Sequence, residues 1–351
     1  MRVPHLVAMM ADCRPRILLL ADGANWIFER HCYTLKKLLG SEYQFTIGYG
    51  SLPFEEDDYD LIYPLEWNVV SAERIKNPLK YVTGIRGHVR WPELNFDQFL
   101  STLRHNFQRV HVVSARLFDI FHPHLPSVVH LSHGVDTQFF QPAGQTRCSG
   151  KTIRVGWAGN KQAPADKGFA AFIEPLSQLP GVEVVSAGYD GRLLDISAMR
   201  EFYSSIDVYV CASLQEGNCN PLLESAAMGL AIVTTDNGTV PEYLIHGKSA
   251  LVVDRQPGAF RRAIEFFRDN PEARVVFGRE ARKSVVEKWE WSIMASRHRD
   301  FFNSALDYQV KVLQQMASFC SSPHRAVTWY SSDRHALRAA IALAGYEKDG
   351  R

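Results

Sequence analysis

Hydrophobic and polar positions along this chain alternate between two periods. Arg16-Ile-Leu-Leu-Leu-Ala21 is a continuous apolar run ending at Asp22-Gly23, the pattern of a parallel strand covered on both faces. An amphipathic stretch from Trp26 to Leu39, closed by Gly40, predicts a helix with a glycine at its end. Gln44–Tyr49, Asp60–Pro64, Lys80–Gly84, Arg109–Val113 and Val128–Leu131 read as further strands. Strands separated by helical or turn segments predict an α/β layer structure around a parallel sheet.

The pattern then restarts. Polar Gln141-Pro-Ala-Gly-Gln145 reads as a linker. Beyond it, Ile153–Trp157, Val182–Ser186, Val208–Cys211, Ala231–Thr235 and Ala250–Val253 predict strands. Phe169–Gln178, Met199–Ser205, Pro221–Met228 and Gly258–Asp269 predict helices. From Glu272 onward the pattern is helical, broken at Pro323, with a last amphipathic helix over Ser332–Ala344. The expected organisation is an N-terminal domain over residues 1–145, a second over 146–305 and a helical tail over 306–351. Two such α/β halves predict a binding cleft.

Length supports the division, since 351 residues exceed what one core normally organises. Lys plus Arg number 39 against 38 Asp plus Glu, so net charge makes no case for nucleic acid. The cysteines Cys13, Cys32, Cys148, Cys211, Cys219 and Cys320 form no C-x-x-C pair, and their intervals do not suggest a zinc site or a disulfide framework. Met1–Cys13 lacks the apolar core of a signal peptide, and no run of about 18 apolar residues occurs. A cytoplasmic setting is the expectation, with peripheral membrane contact left open.

The densest chemical signal is Ser213-Leu-Gln-Glu-Gly-Asn-Cys-Asn-Pro-Leu-Leu-Glu224. Asn220 as N-cap and Pro221 as first residue predict a helix start, so the loop from Glu216 to Cys219 lies over unpaired backbone N–H groups that favour a phosphate. Glu224 falls about one turn into that helix, placed to accept hydrogen bonds from a ribose diol. Asp236-Asn-Gly-Thr239 supplies a second loop at the same sheet edge.

Glu216 and Glu224, with seven residues between them, resemble the Glu-x7-Glu motif of retaining GT-B glycosyltransferases. The region from Ile153 to Trp291 resembles their "group 1" or family-four branch. Phe202-Tyr203 with Asp207-Val208, Glu224-Ser-Ala-Ala-Met-Gly229, Pro241-Glu242 with His246-Gly247, and the Trp289/Trp291 pair match its segments in order. The resemblance implies a GT-B fold of two Rossmann-like domains and a final helical segment crossing back to the first. It implies that Glu224 binds ribose, and that Glu216 with the Gly217 and Asn218 amides holds the transferred sugar and diphosphate. Lys167 matches the lysine that neutralises the leaving diphosphate. Where the family places an arginine, Trp157-Ala-Gly-Asn-Lys161 offers only Lys161, a cation without the bidentate fork. Gly23 corresponds to the close backbone approach to the donor phosphates, without the usual Gly-Gly pair. His88 resembles the active-site histidine that contacts the donor sugar; an ordinary loop histidine is the alternative. His133-Gly-Val-Asp136 with Phe139 and Pro142 resembles the interdomain hinge.

The implied activity is transfer of a sugar, with retention, from a nucleotide-sugar co-substrate to a glycan, lipid-linked or small-molecule acceptor. No metal or other cofactor is expected. A nucleotide-sugar epimerase, a phosphorylase and a non-catalytic nucleotide-sugar-binding scaffold remain alternatives; a dinucleotide oxidoreductase lacks its G-x-G-x-x-G. Arg86, His88, Arg90, Arg104, His105, Arg109 and Arg116, interleaved with Trp91, Phe96, Phe99 and Phe107, read either as a surface for an anionic membrane or as core aromatics beneath a solvated basic face.

Overall fold

The computed structural model describes residues 14–88, 91–142, 152–161, 167–188 and 195–320. The expected linker at 143–145, the tail break at Pro323 and the helix over Ser332–Ala344 lie outside these residues. Backbone packing divides the chain into two units: Met1–Thr83 with His105–Gln108 and Phe302–Arg351, and Gly84–Arg104 with Arg109–Phe301.

The first unit is built on strand β1 (Arg16–Ala21), helix α1 (Ile27–Leu39), β2 (Gln44–Tyr49) and β3 (Leu61–Pro64), in the parallel order β2-β1-β3. Leu18 stands opposite both Thr46 and Ile62, so β1 is the central strand. Ile17 to Ala21 are buried, as the unbroken apolar run requires. His31, Cys32, Leu35 and Leu39 form the buried stripe of α1 at helical spacing. Phe302 meets Tyr43, Phe45 and Tyr63 edge-on at 5.8, 6.2 and 5.6 Å between ring centres, and Tyr43 donates its hydroxyl hydrogen to Asn303 at 2.6 Å. The later turns of the last described helix therefore complete this core.

The chain continues through β4 (Val82–Ile85), α2 (Phe96–Asn106), β5 (Arg109–Val112), α3 (Ala115–Phe121) and β6 (Val129–His130), with sheet order β4-β5-β6. Ser114 caps α3 by accepting from the Leu117 N–H at 3.3 Å. Trp91 stacks on Phe99 at 6.0 Å and meets Phe121 edge-on at 5.1 Å. Trp91, Phe99 and Phe107 are all buried. Those aromatics are core, as the second of the two readings has it. Among the described residues no helix is long and apolar enough to cross a membrane.

The second unit is dominated by a five-stranded parallel sheet in the order β11-β10-β9-β7-β8. In chain order its elements are β7 (Ile153–Gly159), β8 (Val182–Gly188), α4 (Ile196–Ser204), β9 (Val208–Cys211), α5 (Asn220–Ala227), β10 (Ala231–Thr234), α6 (Val240–Tyr243), β11 (Leu251–Val252), α7 (Pro257–Asp269), α8 (Pro271–Lys288) and the part of α9 (Trp291–Cys320) up to Phe301. Val155, Trp157, Val208, Val210 and Val233 from the strands pack with Phe260, Ile264 and Phe267 of α7 into its core. From β7 the chain goes to β8 on one side and then, through α4, to β9 on the other. The carboxyl ends of β7 and β9 thus flank a topological switch point, where open α/β sheets leave a crevice for ligands.

Two expectations differ locally. Phe169–Gln178 is not an α-helix but a π-helical turn, Phe169–Ile173, followed by a 3₁₀ segment, Glu174–Gln178. Pro175 at the junction has no N–H to give an α-helical ladder. The cap of α5 is Cys219, with Asn220 already helical and no side chain capping the end. Pro221 sits one position further in, still within the first turn, where a helix does not need the N–H that proline lacks.

Candidate active site

The loop between β9 and α5 leaves the sheet at the switch point, and its position is set by glycine. A Cβ on Gly217 would overlap the Arg86 carbonyl and come 3.0 Å from the Gly87 Cα. Only glycine permits this approach of the loop to the 86–87 backbone. A Cβ on Gly238, whose φ is +44, would stand 2.5 Å from the Gly217 oxygen and 3.0 Å from the Glu216 oxygen, so the loop after β10 closes against it from another side.

Asn218 locks the loop further. Its amide donates to the Ser132 hydroxyl at 2.8 Å and to the His133 carbonyl at 3.3 Å, while its oxygen accepts from Thr239 at 2.8 Å. The buried side chain is therefore spent on holding the loop. The segment from His133 is anchored in turn: Val135 N–H donates to Trp289 O at 2.9 Å and Trp291 N–H to Val135 O at 3.1 Å. A Cβ on Gly134 would stand 2.8 Å from the Trp289 oxygen, so the glycine allows this docking. Glu242 accepts from Ala115 N–H at 2.9 Å and pairs with His130 at 3.2 Å.

Lys167 and Glu216 form an ion pair across the mouth of the switch point. Burial works against the Lys167 ammonium, but the neighbouring Glu216 carboxylate outweighs it and raises the pKa above the ordinary lysine value. Lysine 167 is thus a fixed cation directly before Gly168, whose φ of +66 turns the chain into the next segment.

His88 approaches the same loop. Burial depresses its pKa, a tendency opposed by its hydrogen bond to the Glu216 backbone and reinforced by Arg116. Its ring lies 5.6 Å from Trp91. His88, Lys167, Glu216, Gly217 and Asn218 are therefore brought together. Lys161 is placed otherwise: it is exposed and its ammonium sits 5.0 Å from the centre of the Phe169 ring. Gly23 belongs to the first unit, after β1, with nothing within 4 Å of where a Cβ would stand.

Glu224 is buried on α5 and accepts a hydrogen bond from the Tyr203 hydroxyl at 2.8 Å. Burial and the adjacent carboxylate push the Tyr203 pKa well up, so the phenol stays a donor. Two thiols adjoin the loop. Cys211 ends β9 and Cys219 caps α5, and their mutual hydrogen bond draws Cys211 down and pushes Cys219 up.

Sequence reasoning missed two contributors. Tyr203 enters the sequence reading only as part of a motif, yet it holds Glu224. Arg255 follows β11 at the same carboxyl edge; its Nε donates to Ala212 O at 2.9 Å and its guanidinium lies 4.7 Å from the Phe172 ring centre. Its position one short step past a strand end was the available signal.

Residues 193–284 match the family model described as glycosyl transferases group 1. A lipopolysaccharide core biosynthesis mannosyltransferase of Rhizobium leguminosarum bv. viciae is 30% identical over 128 residues, 35% of this chain and 36% of that protein. An alpha-maltose-1-phosphate synthase of Mycobacterium tuberculosis is 22% identical over 226 residues, 50% of this chain and 57% of its own length. The chain thus spans from about a third to just over half the length of these curated relatives. Sucrose-phosphate synthase from Thermosynechococcus elongatus superposes with a TM-score of 0.67 at 13% identity, covering 84% of this chain and 100% of that one. The Anabaena protein HepE, solved with UDP and glucose, gives 0.64 at 13% identity over 83% and 100%. At such identities these two structures speak for the fold. The motif-bearing segment 193–284 thus resembles the group 1 glycosyltransferases, and the chain has the GT-B architecture.

Proposed function

We propose that this glycosyltransferase takes a nucleotide-sugar donor at the β7/β9 switch point and transfers the sugar with retention to a glycan, lipid-linked or small-molecule acceptor. The observation that carries the reading is the Lys167–Glu216 pair beside the Gly217–Cys219 backbone at the start of α5. Cleaving the bond between sugar and diphosphate leaves negative charge on the diphosphate. A fixed ammonium and the backbone amides of the loop that leads into α5 stabilise that charge without reorganising. Lys167 would serve the leaving diphosphate, Glu216 the transferred sugar and Glu224 the ribose, with His88 facing the sugar. Lys161 would complete the donor's surroundings. Retention is assigned to front-face attack, with the donor phosphate taking the acceptor's proton. No step requires a metal.

The test is thermal stability with UDP, GDP, ADP and their sugar conjugates, on the wild type and Glu224→Ala. A ligand at about 100 times its dissociation constant stabilises the fold by roughly 2.7 kcal/mol. One nucleotide series should shift the wild type and fail to shift the variant, and proton NMR of the product should show the donor's anomeric configuration. No shift with any nucleotide at millimolar concentration would overturn the donor assignment; an inverted product would overturn retention alone.

A further inference from the structure

The intervals between cysteines along the chain hide a cluster that the fold assembles. Cys211 at the end of β9, Glu216 in the following loop and Cys219 at the cap of α5 present two sulfurs and a carboxylate oxygen that all lie within 4.8 Å of one another. Cys211 is buried, Glu216 keeps 14% of its side chain exposed and Cys219 is half-buried, so the group opens to solvent on one side. Both thiols are free.

Two thiolates and one carboxylate make a donor set for a borderline-soft divalent ion, not for magnesium or calcium, which take oxygen ligands. In a tetrahedral zinc site with Zn–S bonds of about 2.3 Å, ligand atoms stand roughly 3.8 Å apart. The spacing here reaches that by small side-chain rotations, because all three residues lie at one strand end, one loop and one helix cap.

We propose that Cys211, Cys219 and Glu216 form a zinc-binding site with an open fourth position. On binding, both thiols release their protons to solvent as two Zn–S bonds form, and Glu216 turns its oxygen from Lys167 to the metal. Zinc and Lys167 therefore compete for one carboxylate. The metal is an occupant that opposes the Lys167–Glu216 pair, not a participant in transfer. Its effect on donor use rests on the function proposed above; zinc binding itself does not.

The experiment uses the full chain, kept reduced with a phosphine, titrated with Zn2+ and with Co2+ as a spectroscopic substitute, without any nucleotide. One equivalent should bind, and Co2+ should show thiolate charge-transfer absorption with tetrahedral d–d bands. C211S and C219S should each weaken zinc by more than about a hundredfold, as loss of one thiolate from three protein ligands implies. Unchanged affinity in both variants, or a cobalt spectrum without thiolate absorption, overturns the site. Should the buried Cys211 variant fail to fold, alkylation of the wild type decides: zinc must slow iodoacetamide labelling of Cys219 mapped by peptide mass. Equal labelling with and without zinc refutes the proposal. Because no donor enters these measurements, their failure leaves the donor assignment standing.

Discussion

Gly217 lies against the backbone of Arg86 so closely that any β-carbon at 217 would overlap the Arg86 carbonyl. The neighbouring Gly87 is different: a Cβ there would sit 3.7 Å from the Gly217 nitrogen, an ordinary contact. Two adjacent glycines at one junction thus make opposite predictions. Gly217→Ala must push the 212–219 loop away from the 86–87 segment. Its cost falls in the overpacking range of about 1–3 kcal/mol, and donor-dependent thermal shift and turnover should both collapse. Gly87→Ala should keep the nucleotide shift and lower stability by less than about 1 kcal/mol. Equal effects of the two substitutions in a melting and activity assay would remove the argument that this contact sets the loop.

Lys167 is partly exposed, with 38% of its side chain accessible against 14% for Glu216. Such a pair contributes little to folding, about 0–1 kcal/mol. Lys167→Ala should therefore leave the melting temperature nearly unchanged while turnover drops roughly 10²–10³-fold, the usual loss of one charge-stabilising donor. Lys167→Arg keeps the charge and should recover part of the rate. Because Glu216 raises the Lys167 pKa over the opposing effect of burial, the wild type should show no alkaline fall in rate from this group below the ordinary lysine range of about 10.4. Steady-state kinetics across pH, with parallel calorimetry, separates these outcomes.

The fold was legible where period and burial agree. The all-apolar run at β1 and Val208–Cys211 at β9 are buried on both faces and needed no tertiary information. Boundaries drifted by a residue or two where polar neighbours join a strand, as at β8, which runs on to Gly188. The π-helical turn after Gly168 was not legible, because its apolar spacing is compatible with an α-helix and only Pro175 argues otherwise. Glu216, Lys167 and His88 could be named from motif resemblance. Their meeting could not, since it depends on a loop approach that exists only in three dimensions. The same holds for Cys211 with Cys219, whose spacing resembles no metal motif, and for Arg255, which reaches Ala212 O from a different strand end.

Tyr203 offers a test of how Glu224 is held. The phenol donates to Oε2 of Glu224 at 2.8 Å inside the protein. Tyr203→Phe removes that donor while keeping the ring packed edge-on against Phe140 at 5.9 Å. Loss of a hydrogen bond to a charged group should cost about 1.5–3 kcal/mol in denaturant unfolding. Tyr203 acts through Glu224, so the variant should weaken nucleotide binding and leave the turnover of saturated enzyme within a small factor. Glu224→Ala should instead abolish the nucleotide shift. A Tyr203→Phe enzyme with unchanged nucleotide affinity would show that the tyrosine merely fills space.

His298 makes acid stability the remaining handle. It is buried on α9, its Nδ1 donating to the Met294 carbonyl at 2.8 Å, with the ring of buried His111 6.2 Å away. Burial lowers the His298 pKa from 6.5 to about 3, and burial with the nearby Arg86 charge also lowers that of His111. In the unfolded chain both rings titrate near 6.5. Between pH 6.5 and about 3 the unfolded state therefore binds protons that the folded state refuses. Stability contributed by the neutral rings is present above pH 6.5 and drains away as pH falls through that window. Each such proton adds up to about 1.4 kcal/mol per pH unit to the slope. His298→Gln removes one of them, so unfolding free energy measured from pH 6.5 to 5 should fall less steeply than in the wild type by up to that amount. The slope, not the absolute stability, carries the test, because the substitution also changes packing at every pH. Parallel curves for wild type and variant would mean that His298 takes up its proton in the folded protein as readily as in the unfolded chain.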